Sequence, residues 1–307
     1  MKILFLVNSS ASSVTPRSRV VIRKALSADH DVTLAETKRR GHATRLAQGA
    51  AASGAEVVVV LGGDGTLNEA ANGLAGSHCA LAALPGGSTN VFARTIGLPN
   101  DPIEATGQLL DALAQRSIER VGLGSVNGRY FLFHTGVGFD AAVVAQVEKR
   151  AELKRYAGHP LFVYASFATW LRHYDRSKPR FAVEHLGPDD ESVDDGYLTI
   201  VMNTSPYTYL GNRPLDLAPE ATLGSGLAVV TLRTMRFART LRIIASALGN
   251  GQAMRRSRWV DHRTDLSGLT IRAYGPIPYQ VDGDYLGEVE HLTFRHEPEV
   301  LDLVVPT

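Results

Sequence analysis

A layered α/β domain with a largely parallel sheet, followed by an antiparallel β-rich domain, is the fold the sequence predicts, and three observations predict it. Up to about Arg120, short apolar runs alternate with helix-patterned segments, as in strand–helix–strand crossovers. From Ser117 onward the alternation stops and strand patterns dominate, with Asn127-Gly128 between two apolar runs as a strong two-residue hairpin signal. Two successive strands of the first part also run into glycine-rich loops, and in a parallel sheet such loops share the edge where ligands bind. A length of 307 residues with 44% hydrophobic content suits one or two domains with ample core.

Taken in order, residues 2–7 form the first strand. Thr15 and Pro16 then supply an N-cap and a first helical residue ahead of Val20, Val21, Ala25 and Leu26. Residues 32–34 are the next strand, and a helix over about 42–53 stops at Gly54. Val57-Val58-Val59-Val60 is a buried strand that runs into Leu61-Gly62-Gly63-Asp64-Gly65-Thr66-Leu67-Asn68-Glu69-Ala70. Three glycines within four residues let the chain turn with positive φ and bring bare backbone N–H groups against an anion. Thr66 and Glu69 have the spacing of a capping box, so a helix N-terminus adds its partial positive charge at the same spot. A plain turn needs one glycine and no Asp64, whose carboxylate suits a metal or a hydroxyl, so this junction reads as a phosphate site. A second such loop follows the strand at 80–84: Pro85-Gly86-Gly87-Ser88-Thr89-Asn90, leading into a helical pattern through Val91, Phe92 and Ile96.

In the β-rich part, strands are expected at 121–126, 130–134, 180–185, 197–202, 227–232, 269–273, 279–282, 291–295 and 300–305, with helical insertions at about 160–173 and 237–248. The formal charge of +1 gives no push toward nucleic acid. Cys79 is the only cysteine, which excludes a disulfide framework or a cysteine zinc site and leaves packing as its role. No apolar run is long enough to span a bilayer, and nothing at the N-terminus resembles a secretory h-region, so a cytoplasmic protein is expected.

With both loops in view, the chain resembles the diacylglycerol kinase catalytic-domain family, which includes bacterial lipid kinases and the sphingosine and ceramide kinases. Gly62-Gly63-Asp64-Gly65-Thr66-Leu67-Asn68-Glu69 is similar to the family's nucleotide loop and Pro85-Gly86-Gly87-Ser88-Thr89-Asn90 to its second phosphate loop. Thr37-Lys38-Arg39-Arg40-Gly41-His42-Ala43, Gly136-Val137-Gly138-Phe139-Asp140 and Gln280-Val281-Asp282-Gly283-Asp284 resemble three further elements, in the family order. The resemblance implies a phosphofructokinase-like α/β domain over 1–122, a β-sandwich over 123–307 and an active site in the cleft between them. It also implies an ATP-dependent kinase acting on a lipid hydroxyl, with diacylglycerol going to phosphatidic acid as the default. Asn8, Ser9, Ser10, Thr37, Gly62, Gly63, Asp64, Gly65, Thr66, Asn68, Glu69, Gly87 and Thr89 are the expected nucleotide contacts. Asp64 and Asp140 are expected near ATP-bound Mg2+. Asp282 is the expected base for the lipid hydroxyl and Asp284 its competitor, although Asp-Gly alone reads as a β-turn. His42 reads as a helix-start residue.

The chain departs from the family in three places. Asn8-Ser9-Ser10 lacks the proline and glycine of the usual Asn-Pro-x-Ser-Gly. Val91 stands where many relatives have an aspartate. Gly224-Ser225-Gly226 and Ala228 replace an acidic run that holds a structural magnesium in bacterial members, so that second metal site is expected to be missing; Asp194-Asp195-Gly196 lies too early to replace it and reads as a hairpin turn. The alternatives are an NAD kinase-like enzyme, against which stands the absence of a Thr-Pro-Thr-Gly-Ser-Thr-Ala-Tyr stretch, and a catalytically weakened nucleotide-binding regulator at the membrane surface. The P-loop and protein-kinase motifs are absent too.

Two regions mix basic with apolar residues and suit peripheral contact with an anionic membrane at its inner face. One holds Arg233, Arg236, Arg239, Arg242, Arg255, Arg256 and Arg258 with Phe237, Leu241, Ile243, Ile244 and Trp259; the other holds Lys149, Arg150, Lys154, Arg155, Arg172, Arg176, Lys178 and Arg180 about residues 161–171 and Trp170. Ordinary amphipathic helices with solvated faces would show the same composition. The expected partners are thus ATP, a lipid alcohol and a membrane surface, without nucleic acid and with a homodimer left open.

Overall fold

Short runs of Val, Leu and Ala, apolar at every position, make strands that can only be central in a parallel sheet covered on both faces. The structure is a computed structural model that describes residues 1–149, 168–169, 174–186 and 192–307. The expected insertion at 160–173 lies outside the described residues except for 168–169, and Arg150, Lys154, Arg155, Trp170 and Arg172 all lie outside them. The chain forms two compact units, Met1–Leu123 with Glu297–Thr307, and Gly124–His296. The closing segment therefore belongs with the first unit, where the expected division at 122/123 leaves it with the second; Leu303 pairs in parallel with Leu81.

In the first unit, β1 (Lys2–Val7), β2 (Asp31–Glu36), β3 (Val57–Gly62) and β4 (Ala80–Pro85) lie in the order β4-β3-β1-β2, all parallel. Every residue of β3 and β4 is buried. The connections are α1 (Pro16–Leu26), α2 (His42–Ala52) and α3 (Asp64–Leu74), with α4 (Val91–Thr95) and α5 (Pro102–Gln115) after β4. Thr15 caps α1 as its sequence predicts, accepting from the Ser18 N–H in a capping box with Pro16 in the first turn.

The capping box expected at Thr66 and Glu69 does not form. Helix α3 starts three residues earlier, at Asp64, with Gly63 extended as its N-cap. Thr66 accepts a hydrogen bond from Asn8 instead, and Glu69 reaches the preceding helix.

The second unit is antiparallel and β-rich. It comprises the end of β5 (Ile118–Val126), β6 (Arg129–Phe131), β7 (His134–Gly138), β8 (Phe181–Leu186), β9 (Ser192–Gly196), β10 (Leu198–Met202), β11 (Thr208–Leu210), β12 (Arg213–Leu215), β13 (Leu227–Leu232), β14 (Val260–Leu266), β15 (Gly268–Val281) and most of β16 (Asp284–Val304). Its ladder runs β14-β13-β10-β7-β15, with β8 and β9 on the other part of β15. Its helices are α6 (Phe139–Glu148), α7 (Phe237–Ala247) and α8 (Gln252–Arg255). The Asn127-Gly128 hairpin is present, with φ of 48° and 82° at the two turn residues.

Three local expectations fail for identifiable reasons. The strand expected at 130–134 breaks after Phe131, because the N–H groups of Leu132, Phe133 and His134 turn to one carboxylate, that of Asp282. Residues 194–196 are strand rather than turn, their edge held by an Arg233–Asp195 pair at 2.6 Å. The separate strands expected at 269–273 and 279–282 are one strand, β15, whose register shifts between Arg272 and Ile277 where Gly275 has a φ of 145°. Likewise 291–295 and 300–305 are parts of β16.

Candidate functional site

Four parallel strands end at the same edge of the first unit, and the expected nucleotide residues follow those ends: Asn8 to Ser10 after β1, Thr37 after β2, Gly62 to Thr66 after β3, and Gly87 and Thr89 after β4. Asn8 holds its loop without the family's proline and glycine, since its side-chain oxygen accepts from the Ser10 N–H at 3.1 Å in an Asx turn while its amide donates to Thr66 at 2.8 Å. Ser9 donates to Glu36, which also pairs with Arg19, and the Ser9 bond holds the Glu36 carboxyl below its ordinary range. The Thr37 N–H extends the sheet to Val7 at 2.9 Å.

The glycines have a packing reason as well as an electrostatic one. A Cβ on Gly87 would stand 2.8 Å from Gly63 Cα, and one on Gly86 would stand 2.8 Å from Gly62 N. Gly86 N–H donates to Gly62 O at 2.8 Å, so the two loops touch backbone to backbone. Asn90, in the left-handed region at φ 51°, closes the second loop by accepting from Gly87 N–H at 2.7 Å and donating to Gly87 O at 2.9 Å. What faces out between them is main chain at the start of α3, where a helix leaves its first N–H groups without intrahelical acceptors.

Several expected contacts have a different occupation. The Asp64 carboxylate accepts the N–H groups of Val91 and Phe92, both at 3.1 Å, and so caps α4, whose own N-cap Asn90 does not. Glu69 does the same for α2, accepting from Gly41 N–H at 2.6 Å and Ala43 N–H at 3.1 Å; α2 begins at a left-handed Gly41 that has no side chain to cap it. Asn68 is 1% exposed and is bonded by Asn72. Asp64, Asn68 and Glu69 are thereby builders of the site. His42 starts α2, with its Nδ1 accepting from the Lys38 N–H.

In the second unit, Asp282 and Gly283 are the turn between β15 and β16, with φ of 48° and 81°, so the β-turn reading of Asp-Gly is correct for the backbone. Its side chain does more. The Asp282 carboxylate, in a residue 4% exposed, accepts from Leu132, Phe133 and His134 at 2.8, 3.1 and 3.1 Å, while the Asp282 N–H donates to His134 O at 2.9 Å. Three amide donors fix the orientation of its oxygens. Asp284 is half-buried at the first position of β16.

Sequence reasoning missed the group that locks this turn. Asp140 accepts from the Tyr207 hydroxyl and from Gln280 Nε2 at 2.9 Å, and Gln280 Oε1 accepts from Gly283 N–H at 2.8 Å. Burial raises the Asp140 carboxyl pKa, against the pull of those two donors. Gly136 is required beside it, since a Cβ there would lie 1.7 Å from Asp140 Oδ2. His134 lies against Phe133 and Tyr207, and burial pushes its pKa down to about 3, so it is neutral. Tyr207 lies in none of the quoted elements, whereas Asp140 and Gln280 each belong to one, and what the sequence does not show is that the two bond to each other.

Asp64 and Asp140, expected near ATP-bound magnesium, are both engaged by donors of the protein itself. The first carboxylate is committed to a helix cap and the second is buried on Tyr207 and Gln280; among the described residues no group of three or more His, Cys, Asp or Glu side chains could hold a metal. At 222–226 the chain makes a turn in which Ser225 donates to Thr222 O and the Gly226 N–H donates to Asp265. A surface groove of about 540 Å³ lined by Tyr174, Asp175, Arg176, Ser177, Met235, Arg236 and Phe237 carries none of the expected site residues.

Residues 2–126 match the diacylglycerol kinase catalytic domain. Over 271 residues the chain is 35% identical to the diacylglycerol kinase of Bacillus subtilis (strain 168), covering 87% of this chain and 84% of that one. The chain belongs to the diacylglycerol kinase catalytic-domain family. Its fold is that of a diacylglycerol kinase from Bacillus anthracis str. Sterne, at TM-score 0.75 and 22% identity over 99% of this chain and 96% of the other. The fold extends to an NAD kinase from Archaeoglobus fulgidus solved in complex with ATP, at TM-score 0.54 and 11% identity over 100% and 94% of the two chains. Membership in this lipid kinase family agrees with the phosphofructokinase-like first part and antiparallel second part that the motifs implied.

Proposed function

We propose that this member of the diacylglycerol kinase family transfers the γ-phosphoryl group of ATP to the hydroxyl of a lipid alcohol, with diacylglycerol giving phosphatidic acid. The observation that carries the reading is the pair of glycine loops packed backbone to backbone at the carboxyl edge of four parallel strands, a surface that offers amide N–H groups to phosphates and excludes side chains. Asn8, Ser9, Ser10, Thr37, Gly62, Gly63, Gly65, Thr66, Gly87 and Thr89 hold the nucleotide. The acceptor oxygen bonds to the γ-phosphorus as the bond from that phosphorus to the β-phosphate oxygen breaks, ADP leaves, and the hydroxyl proton passes to a carboxylate. Asp282 is the acceptor of that proton, its oxygens pre-oriented by three amides, and Asp284 is the competing choice. A loose phosphoryl-transfer transition state asks for a positioned acceptor more than for a strong base. The protein works as a peripheral enzyme at the inner face of the membrane.

The test is a screen of purified protein with labelled ATP and a panel of lipid alcohols in mixed micelles, diacylglycerol among them. Label in phosphatidic acid supports the reading. Label in another lipid alone corrects the acceptor. Nucleotide binding without transfer to any lipid overturns it in favour of a regulator.

A further inference from the structure

Helix α7 has two apolar faces, one of which packs on the core. Thr240 is buried, and Ile243 and Ala247 pack against the cluster that includes Met235, Met254 and Val260. Phe237, Leu241, Ile244 and Leu248 are 64%, 54%, 49% and 43% exposed. Their spacing of i, i+4, i+7 and i+11 places them in one stripe along the helix. Four large apolar side chains aligned on one exposed face form a patch, which a lone exposed leucine does not.

The charge carried by the segment that holds the stripe has one sign, although Asp175 lines the groove beside Arg236 and Phe237. Between Arg233 and Arg258 the sequence holds seven arginines and no Asp or Glu. Arg233 is paired with Asp195, and Arg239 lies over the Trp259 ring at 3.8 Å, with Arg258 over the same ring at 4.7 Å. Arg236 and Arg242 are exposed on α7 itself. The neighbouring charges that act on Arg239 are Arg236 and Arg258, both positive, and they lower its pKa together with desolvation. An apolar stripe flanked in sequence by cations matches the acyl-chain boundary of a bilayer with anionic headgroups; a second copy of this chain would bring the same cations face to face. No helix among the described residues is long and apolar enough to cross a membrane, so the contact is one of lying on the surface.

We propose that the exposed face of α7, with Phe237, Leu241, Ile244 and Leu248 inserted and Arg236 and Arg242 at the headgroups, docks the protein on an anionic lipid bilayer. This rests on the lipid kinase reading for its purpose, and on the helix alone for its physics.

The experiment is co-sedimentation of the full chain with vesicles of phosphatidylcholine, with and without phosphatidylglycerol, at two salt concentrations. The wild type is expected to bind the mixed vesicles and to lose binding as salt rises. Replacing Leu241 and Ile244 with Ser is expected to weaken binding more than tenfold, from the apolar area lost. Arg236→Gln with Arg242→Gln is expected to weaken it about twenty-five-fold, at roughly fivefold per charge. Both variants should melt with the wild type and should phosphorylate a short-chain, water-soluble diacylglycerol at the wild-type rate. Undiminished vesicle binding by the Ser variant overturns the proposal, as does binding equally strong on neutral vesicles. So does a wild-type dimer in sedimentation velocity that the Ser variant converts to monomer, which would make a second copy the occupant. Vesicle binding that follows these expectations without transfer to any acceptor sustains docking and removes the kinase reading instead.

Discussion

Replacing Asp282 with Asn separates the anchoring its carboxylate performs from the base role proposed for it. Its oxygens accept three backbone N–H groups at 2.8, 3.1 and 3.1 Å. Asparagine offers one acceptor oxygen and an NH2 group, so at least one of those N–H groups is left facing another donor. A hydrogen bond to a charged acceptor contributes about 1.5–3 kcal/mol, and an orphaned buried donor costs about 1–3 kcal/mol. The variant should therefore lose on the order of 3 kcal/mol, which lowers Tm by roughly 10 °C in a unit of this size. Losing a base costs about 10²–10⁴ in rate. The assay is lipid phosphorylation per folded molecule, at a temperature where the variant is still folded, beside Asp284→Asn and with ATP affinity measured by calorimetry. Asp282→Asn should fall at least a hundredfold with ATP affinity kept, and Asp284→Asn should be milder. Activity above about a tenth of wild type in folded Asp282→Asn refutes the base assignment and leaves Asp282 as an anchor alone; a reversed ranking moves the base to Asp284.

Gly65→Val should obstruct the phosphates and weaken ATP binding more than tenfold in a folded protein; calorimetry showing parental affinity would break the loop assignment. Glu69→Gln keeps one acceptor oxygen for two N–H groups and loses the charge at the α2 N-terminus, so it should cost about 1–2 kcal/mol in urea denaturation with ATP affinity unchanged. A drop in affinity without loss of stability would return Glu69 to the ligand set. His134 titrates at about 3 in the folded state against 6.5 in the unfolded chain, so the unfolded state takes the proton first as pH falls. Stability is then lost below 6.5 at about 1.4 kcal/mol per pH unit, roughly 3 kcal/mol by pH 4.5. His134→Phe should lack that slope, and equal slopes in the two proteins would show that His134 is not buried neutral.

The sequence was legible where one local pattern decides one local structure. Thr15-Pro16 makes a helix start and Asn127-Gly128 makes a hairpin because each satisfies its own backbone within a few residues. Leu227–Leu232 is strand because five apolar residues around a single Thr231 have nowhere to go but a buried ladder. The candidate site was legible as a set of loops and illegible as a set of roles. Asp64, Glu69 and Asp282 all bond backbone N–H groups of segments far away in sequence, at Val91, Gly41 and Leu132. A carboxylate that caps a distant helix and one that meets a ligand have the same local sequence. The Tyr207–Asp140–Gln280 chain was out of reach for the same reason, since its members come together only in the folded unit.

The interlock of Gly63 with Gly87, and of Gly62 with Gly86, has a consequence for how such a chain can change over time. The second loop cannot accept a side chain at Gly86 or Gly87 without pushing the first, whether or not anything is bound. A descendant that had stopped phosphorylating anything would still need those glycines, with Asp64 and Glu69 beside them, simply to close its first unit. The motif would therefore outlive the activity. Decay of the enzyme would show first at groups with no architectural duty, such as the hydroxyls of Ser10 and Thr89 at the open ends of the strands.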